Sequence, residues 1–249
     1  MGMLYSAYFD ASGAKGFPFI TVAGAGSSIE KWIRFEGEWN TVLEAHGVTE
    51  FHATDFAASG GEYKEWKGDK IRRSGFLRQL IAILEKNTNK LFSVTVDMEG
   101  WEAVNAHYCL AEYFFSPYAI AGFGAVAQCL KWAKRKKANH PEFIFEEGDE
   151  GWQGLVNVCE RELGVTPLRL PKREAIPCQV GDLLAWKSRI VATNVVRKWR
   201  ALGAHDLDTE IQDELKALDK VMVRPGLKSI YSQRALEQNS KLFKIPKRS

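Results

Sequence analysis

Apolar residues cluster at Leu4 to Phe9 and again at Phe17 to Ala25, and Asp10-Ala11-Ser12-Gly13 opens the small, polar stretch between them. Residues with free backbone angles favour a tight turn, so the two runs predict a β-hairpin with Asp10 at the tip of its first strand. Ser27-x-x-Glu30 has the form of a capping box. Behind it Ile29, Trp32, Ile33, Trp39, Val42 and Leu43 recur at helical spacing until Gly47 ends the run. Glu50 to Asp55 and a polar segment to Gly68 read as an excursion at a sheet edge. A second amphipathic helix is predicted from about Asp69 to Lys86, with Ile71, Leu77, Leu80, Ile81 and Leu84 inward. Leu91 to Asp97 alternates Phe92, Val94 and Val96 with Ser93 and Thr95, the pattern of a half-buried strand.

The second half alternates helix and strand. Trp101 to Phe115 predicts a short helix. Ser116 and Pro117 then read as the N-cap and first residue of a long helix reaching about Ala138. Its early residues, Ala119, Ala121, Gly122, Gly124 and Ala125, suit close packing on a sheet. Glu142 to Glu146 is a short central strand, turned by Gly148-Asp149. A helix from Trp152 to Leu163, a strand from Val165 to Leu170 and a long helix from near Gln179 to about Arg200 follow. Asp206 to Lys220 has the pattern of one more helix. Late strands separated by helices imply parallel pairing, whereas the hairpin is antiparallel, so the fold class is α/β: a mixed sheet with helices on its faces. One domain over 1–249 is expected, with an inserted helical segment at about 28–88 and a basic C-terminal extension at about 205–249.

Composition changes little: 45% hydrophobic and 26% charged residues are ordinary for a soluble globular protein. No run approaches the ~18 apolar residues of a membrane span, and the N-terminus has no basic segment leading into an apolar one, so no membrane contact and no secretory signal are expected. Cys109, Cys129, Cys159 and Cys178 are far apart and form no Cys-x-x-Cys, as for reduced thiols in a cytoplasmic protein. The net charge of +3 does not by itself imply nucleic acid. Its distribution is more informative: residues 131–137 hold five cations, and Val221 to Ser249 holds seven Lys/Arg against Glu237 alone. Such patches suit a phosphate track, or equally a solvated helix end and a polar tail. RNA, DNA and hybrid partners stay open, as does oligomeric state.

Three carboxylates stand out by position. Asp10 ends the first strand, Glu146 ends the central strand with Glu147 and Asp149 close behind, and Asp182 opens the last long helix in an apolar setting. Like charges brought together repel, and a hard divalent ion with oxygen ligands relieves this. Each acid also has a plain alternative. Asp10 can bond its own turn, Asp182 can face the helix dipole, and Glu147 and Asp149 can be solvent-facing turn acids. His52-x-x-Asp55 is either an accessory ligand, proton donor or substrate contact, or a half-buried histidine beside a capping aspartate. No His-Glu-x-x-His, no Gly-x-Ser-x-Gly and no complete phosphate-loop fingerprint occurs; Gly24-x-Gly26 stands alone. Trp32, Trp39 and Trp66 are either base-stacking platforms or core.

Five short motifs in order carry a resemblance: Asp10-Ala11-Ser12-Gly13, Phe51-His52-Ala53-Thr54-Asp55, Ser116-Pro117-Tyr118, Phe145-Glu146-Glu147-Gly148-Asp149 and Gln179-Val180-Gly181-Asp182-Leu183-Leu184-Ala185-Trp186. Over roughly residues 4 to 200 the chain resembles the bacterial domain-of-unknown-function 3800 family, which is assigned an RNase H-like fold. It departs from that family's pattern at Ala11, where members have glutamate, and at Gly181, where they have alanine. The resemblance implies a site of Asp10, Glu146 and Asp182 holding Mg²⁺ or Mn²⁺, with Ser12, His52, Asp55, Asp149 and Gln179 as accessory residues. It implies a divalent-metal-dependent nuclease acting by phosphodiester hydrolysis. RNase H enzymes also place a glutamate in the first long helix, yet Pro117 to Val126 has no carboxylate, and Glu112 just before it is the nearest substitute. That gap keeps open a non-catalytic nucleic-acid or protein-binding module on the same fold.

Overall fold

The computed structural model describes residues 4–13, 16–136, 138, 141–171, 173–202 and 227–248. At its centre is the hairpin, β1 (Tyr5–Ser12) and β2 (Phe19–Ser28), paired antiparallel from Tyr5↔Ser28 to Ser12↔Thr21. Gly13 makes the exit from β1 possible: its φ is +107°, and a Cβ there would collide with the carbonyl oxygen of Phe19. β3 (Lys90–Asp97) adds antiparallel to β2, β4 (Glu142–Glu146) parallel to β1, and β5 (Leu168–Leu170) parallel to β4. β6 (Leu227–Tyr231) lies parallel to β3, giving the order β5-β4-β1-β2-β3-β6.

Side chains alternate across this mixed sheet, and each face has its own apolar core. Phe9, Val22, Phe92 and Val94 meet α4 (Met98–Asn105), α5 (Leu110–Phe114), α6 (Pro117–Arg135), α7 (Trp152–Leu163) and Leu236 of α9 (Gln233–Leu242). Ala23, Ala25 and Leu91 meet α1 (Ile29–His46), α2 (Ala53–Ala58), α3 (Lys70–Asn87) and α8 (Cys178–Leu202). The small residues of α6 do bring it onto the sheet: a Cβ on Gly124 would lie 2.7 Å from the Tyr231 hydroxyl and 3.2 Å from Val94 Cγ2.

Several sequence expectations shift. Ser28, one residue past the expected box, is the N-cap of α1. Ser27 instead donates its hydroxyl to Asn87 O at 2.6 Å and Asn89 Oδ1 at 2.8 Å, pinning β2 to the end of α3. The buried stripe of α1 is Trp32, Phe35, Trp39 and Leu43, while Ile33 is 65% exposed. On α3, Phe76 and Ile83 are inward and Ile71 is outward. The segment 101–115 is two helices, since Asn105 Oδ1 takes up the amide of Ala111 at 2.8 Å and bends the chain between them. β3 is covered on both faces, because α8 spans the side on which Thr95 bonds Thr21 at 2.8 Å. Residues 227–242, expected within a basic extension, supply a sheet strand and a packed helix. The helix expected at 206–220 lies outside the described residues. Among the described residues no helix is long and apolar enough to cross a membrane.

The stripe correction is testable by chemical denaturation. Phe35→Ala is expected to cost about 3–5 kcal/mol, whereas Ile33→Ala should change stability by no more than about 0.5 kcal/mol.

Candidate functional site

The last β1–β4 pair is Phe9↔Phe145, and Asp10 and Glu146 are the next residues on the two strands. Glu146 ends β4, whereas Asp10, expected at the tip of β1, lies inside it, paired with Ala23 before the strand ends at Ser12; the two strands are neighbours, ~4.8 Å apart. Phe9 and Phe145 stack at 4.9 Å on the α6 side, so strand alternation turns Asp10 and Glu146 to the α8 side. Here the topology reverses: β1 turns into β2 on one side, and β4 passes through α7 to β5 on the other. In open α/β sheets such a switch point is the usual place for a ligand crevice. Asp10 is 8% exposed, and its Oδ1 accepts the Ala11 amide at 2.7 Å, a local bond made from within the strand and not from a turn.

Helix α8 is seated on this spot by Gly181. A Cβ at Gly181 would lie 2.5 Å from Asp10 N and 2.8 Å from Asp10 Cβ, so only the bare backbone fits. Asp182 follows directly and is 6% exposed. Its Oδ2 accepts the Ala53 amide at 3.0 Å. Gln179, 2% exposed, accepts Trp39 Nε1–H at 2.8 Å and the Phe51 amide at 2.7 Å through one oxygen. Gln179 and Asp182, near the start of α8, therefore hold down Phe51 to Ala53; Asp182 falls after the helix's first turn and not within it. The expected edge excursion is a segment docked beside the acids. His52 Nδ1 stands 3.3 Å from Asp55 Oδ2, with both side chains about half exposed.

On the β4 side, the acids after the strand divide. Glu146 Oε2 and Asp149 Oδ2 are shut off from solvent, whereas Glu147 is exposed and 3.8 Å from Arg169. Asp149 is thus not the solvent-facing turn acid its position suggests. Tyr118 is 3% exposed at the start of α6, and its hydroxyl is pushed above the ordinary tyrosine range, first by burial and then by the charges of Asp149 and Asp10. Both acids therefore act on one buried hydroxyl. Just before α6, Phe115 adopts φ +67° and ψ −49° against Gly154, where a Cβ would lie 2.6 Å from Phe115 Cβ. Backbone strain of this kind collects at functional sites.

Other expectations do not converge here. Glu112 lies 3.7 Å from Arg248 Nη2, at the corner where the C-terminal residues pair with Tyr108, and so cannot stand in for a helix carboxylate. Lys131, Lys134, Arg135 and Lys136 sit at the far end of α6, where Trp132 packs on Tyr5 at the start of β1, the opposite end of the sheet from Asp10; Lys137 lies outside the described residues. Trp32, Trp39 and Trp66 are core, at 2%, 0% and 2% exposure. All four cysteines are free thiols, and burial pushes Cys159 up to about 12. Among the described residues, no group of three or more His, Cys, Asp or Glu side chains is gathered as a ready metal cage.

Residue-type reasoning passed over Gly181, Tyr118 and Arg189. Arg189 donates Nε–H to Ser12 Oγ at 2.9 Å; the signal for it was its spacing, two helical turns after Asp182. No family model and no curated protein matches the chain. Among solved structures it is similar to a chain from the PCNA:RNase HII complex of Archaeoglobus fulgidus, at 14% identity and a TM-score of 0.42, over 90% of this chain and 91% of that one.

Gly181→Ala is expected to destabilise the fold by about 1–3 kcal/mol, since backbone and not a flexible side chain must yield. Thermal or urea unfolding checks this, and an unchanged midpoint would contradict the close seating.

Proposed function

We propose that the chain is an RNase H-like phosphodiesterase that cuts nucleic acid with the help of a divalent cation at Asp10, Glu146 and Asp182. The observation that supports this reading is a shared neighbourhood: Asp10 and Glu146 directly follow the last paired residues of β1 and β4, and Gly181, the residue before Asp182, packs on the backbone of Asp10. The strand directions agree with it, an antiparallel β1–β2–β3 followed by β4 and β5 parallel to β1.

The donor set fits Mg²⁺ or Mn²⁺ in kind. It offers carboxylate oxygens and no thiolate, and Mg²⁺ commonly takes only one or two carboxylates, filling its shell with water and substrate phosphate. That shell needs no complete protein cage. When bound, such an ion supplies an activated water and neutralises charge on the leaving oxygen. The chain's own residues do the rest. Ala53 N–H fixes one oxygen of Asp182, and Ala11 N–H fixes one oxygen of Asp10. Tyr118, held neutral by burial and by the charges of Asp149 and Asp10, keeps its hydroxyl proton. His52, steadied by Asp55 and half exposed, is placed to pass a proton to a departing group at the site's rim.

A second reading, a non-catalytic binding module on the same fold, is favoured by one specific observation: α6 carries no acid from Pro117 to Arg135, and Glu112 is engaged elsewhere. The two readings part in a cleavage assay on RNA, DNA and hybrid duplexes with Mg²⁺ or Mn²⁺. The enzyme reading expects cleavage that EDTA stops and that Asp10→Asn lowers at least ~100-fold, as for loss of a metal-site group, with the melting temperature retained. Salt-sensitive binding that persists in EDTA, with no cleavage of any substrate, selects the binding module.

A further inference from the structure

We infer that Arg189 and Ser12 form a phosphate-binding subsite one step outward from the acids, gripping the sugar–phosphate backbone of the bound strand. This inference rests on the nucleic-acid reading above and names the residues that hold the substrate there. Ser12 lies two residues beyond Asp10, so both occupy the same face of β1, about 7 Å apart at ~3.3 Å per residue. Arg189 lies seven residues beyond Asp182, about two turns, so both occupy the same side of α8. Asp10 beside Gly181–Asp182 and Ser12 beside Arg189 are thus successive rungs between one strand and one helix.

The local packing presets the arginine. Its Nε–H is used by Ser12 Oγ at 2.9 Å, and its guanidinium carbon lies 4.6 Å from the centroid of the Phe17 ring. Gly13, whose Cβ would lie 3.1 Å from Arg189 Cδ, leaves room for the stem. Phe17 is 46% exposed, so the stacked pair sits at the surface and not in the core. Among the described residues no carboxylate forms an ion pair with Arg189, and burial alone lowers its pKa from the usual arginine value. The group stays charged, partly stripped of water, with its outer nitrogens beyond the Ser12 bond. A planar fork held in this way suits a phosphate, which it can bind through two parallel bonds. Phe17 adds an aromatic surface on which a base can stack. The exposed Lys131, Lys134, Arg135 and Lys136 lie at the other end of the sheet, whereas Arg189 is set on the strand and helix that carry Asp10 and Asp182.

The test is binding of a fluorescein-labelled single-stranded oligonucleotide to the full chain in EDTA, by anisotropy over a range of salt. Arg189→Gln is expected to weaken binding about 10-fold and to flatten the log K against log salt slope by ~0.7. Arg189→Lys keeps the charge but not the fork, and should recover the slope while leaving part of the affinity loss. Ser12→Ala should weaken binding less than Arg189→Gln. Melting temperatures report whether each variant folds. Folded Arg189→Gln with unchanged affinity and slope overturns the subsite, even if Asp10→Asn abolishes cleavage. Loss of binding in Arg189→Gln supports the subsite even if the wild type cuts nothing.

Discussion

The contact on which the rest depends is made by a residue with no side chain. Gly181 lays the start of α8 against the backbone of Asp10 closely enough that a methyl group would not fit. The next residue on that helix is Asp182, and parallel pairing of β1 with β4 sets Glu146 one residue beyond the Phe9↔Phe145 pair, level with Asp10. Bringing carboxylates together in a nearly buried place costs several kcal/mol unless something compensates. Part of the compensation is visible as amides of Ala11 and Ala53 bonded to Asp10 and Asp182. The arrangement is held by packing on both sides, with Phe9 stacked on Phe145 beneath and Trp39 tied to Gln179 above.

The two faces of the sheet have different tasks. The α6 face is a continuous apolar core, with Phe9, Phe92 and Phe145 under small helix residues. The α8 face is apolar toward α1 and α3 but turns polar toward the hairpin tip, with Asp10, Ser12, Thr21 and Thr95 on its strands. α8 crosses that boundary. Its apolar residues Val180, Leu183 and Leu184 close the core, while Asp182 and Arg189 look along the polar side. One helix therefore both completes the fold and carries the charges. The docked segment Phe51 to Asp55 depends on it too, through Gln179 and Asp182. Changes near the start of α8 should reach the site and the inserted helices together.

Much of the fold could be read from local pattern. The hairpin, the Ser116–Pro117 helix start and the Glu142–Glu146 strand are set by nearest-neighbour chemistry, and Ser116 Oγ does cap Ala119 N at 3.1 Å. Periodicity alone was less reliable on α1 and α3. Ile33 and Ile71 fit an apolar stripe but face solvent, because Phe35 and Phe76 win the places against the other helices. β6 escaped notice because Leu227 to Tyr231 is five residues with two polar ones inside, and only its pairing with β3 makes it a strand. The acids were legible as strand tips and a helix start, each with a plain alternative. The seating of α8 on Asp10 was not, since it depends on a tertiary contact at Gly181. Asp149 and Glu147 have nearly the same sequence setting, yet one oxygen of Asp149 is shut off from solvent while Glu147 is exposed. Arg189 is in helical register with Asp182, but its meeting with Ser12 and Phe17 is tertiary and not legible in the sequence.

The central claim, that acids distant in the chain gather around one cation, is tested most directly by titrating Mn²⁺ into isotope-labelled protein and following amide line broadening. The expected result is early, saturable broadening of Ala11, Ala53, Glu147 and Leu183, the amides flanking the three acids, and its removal by Asp10→Asn. Broadening centred elsewhere, such as Glu142 at the opposite end of the sheet, or none at saturating Mn²⁺, would contradict it.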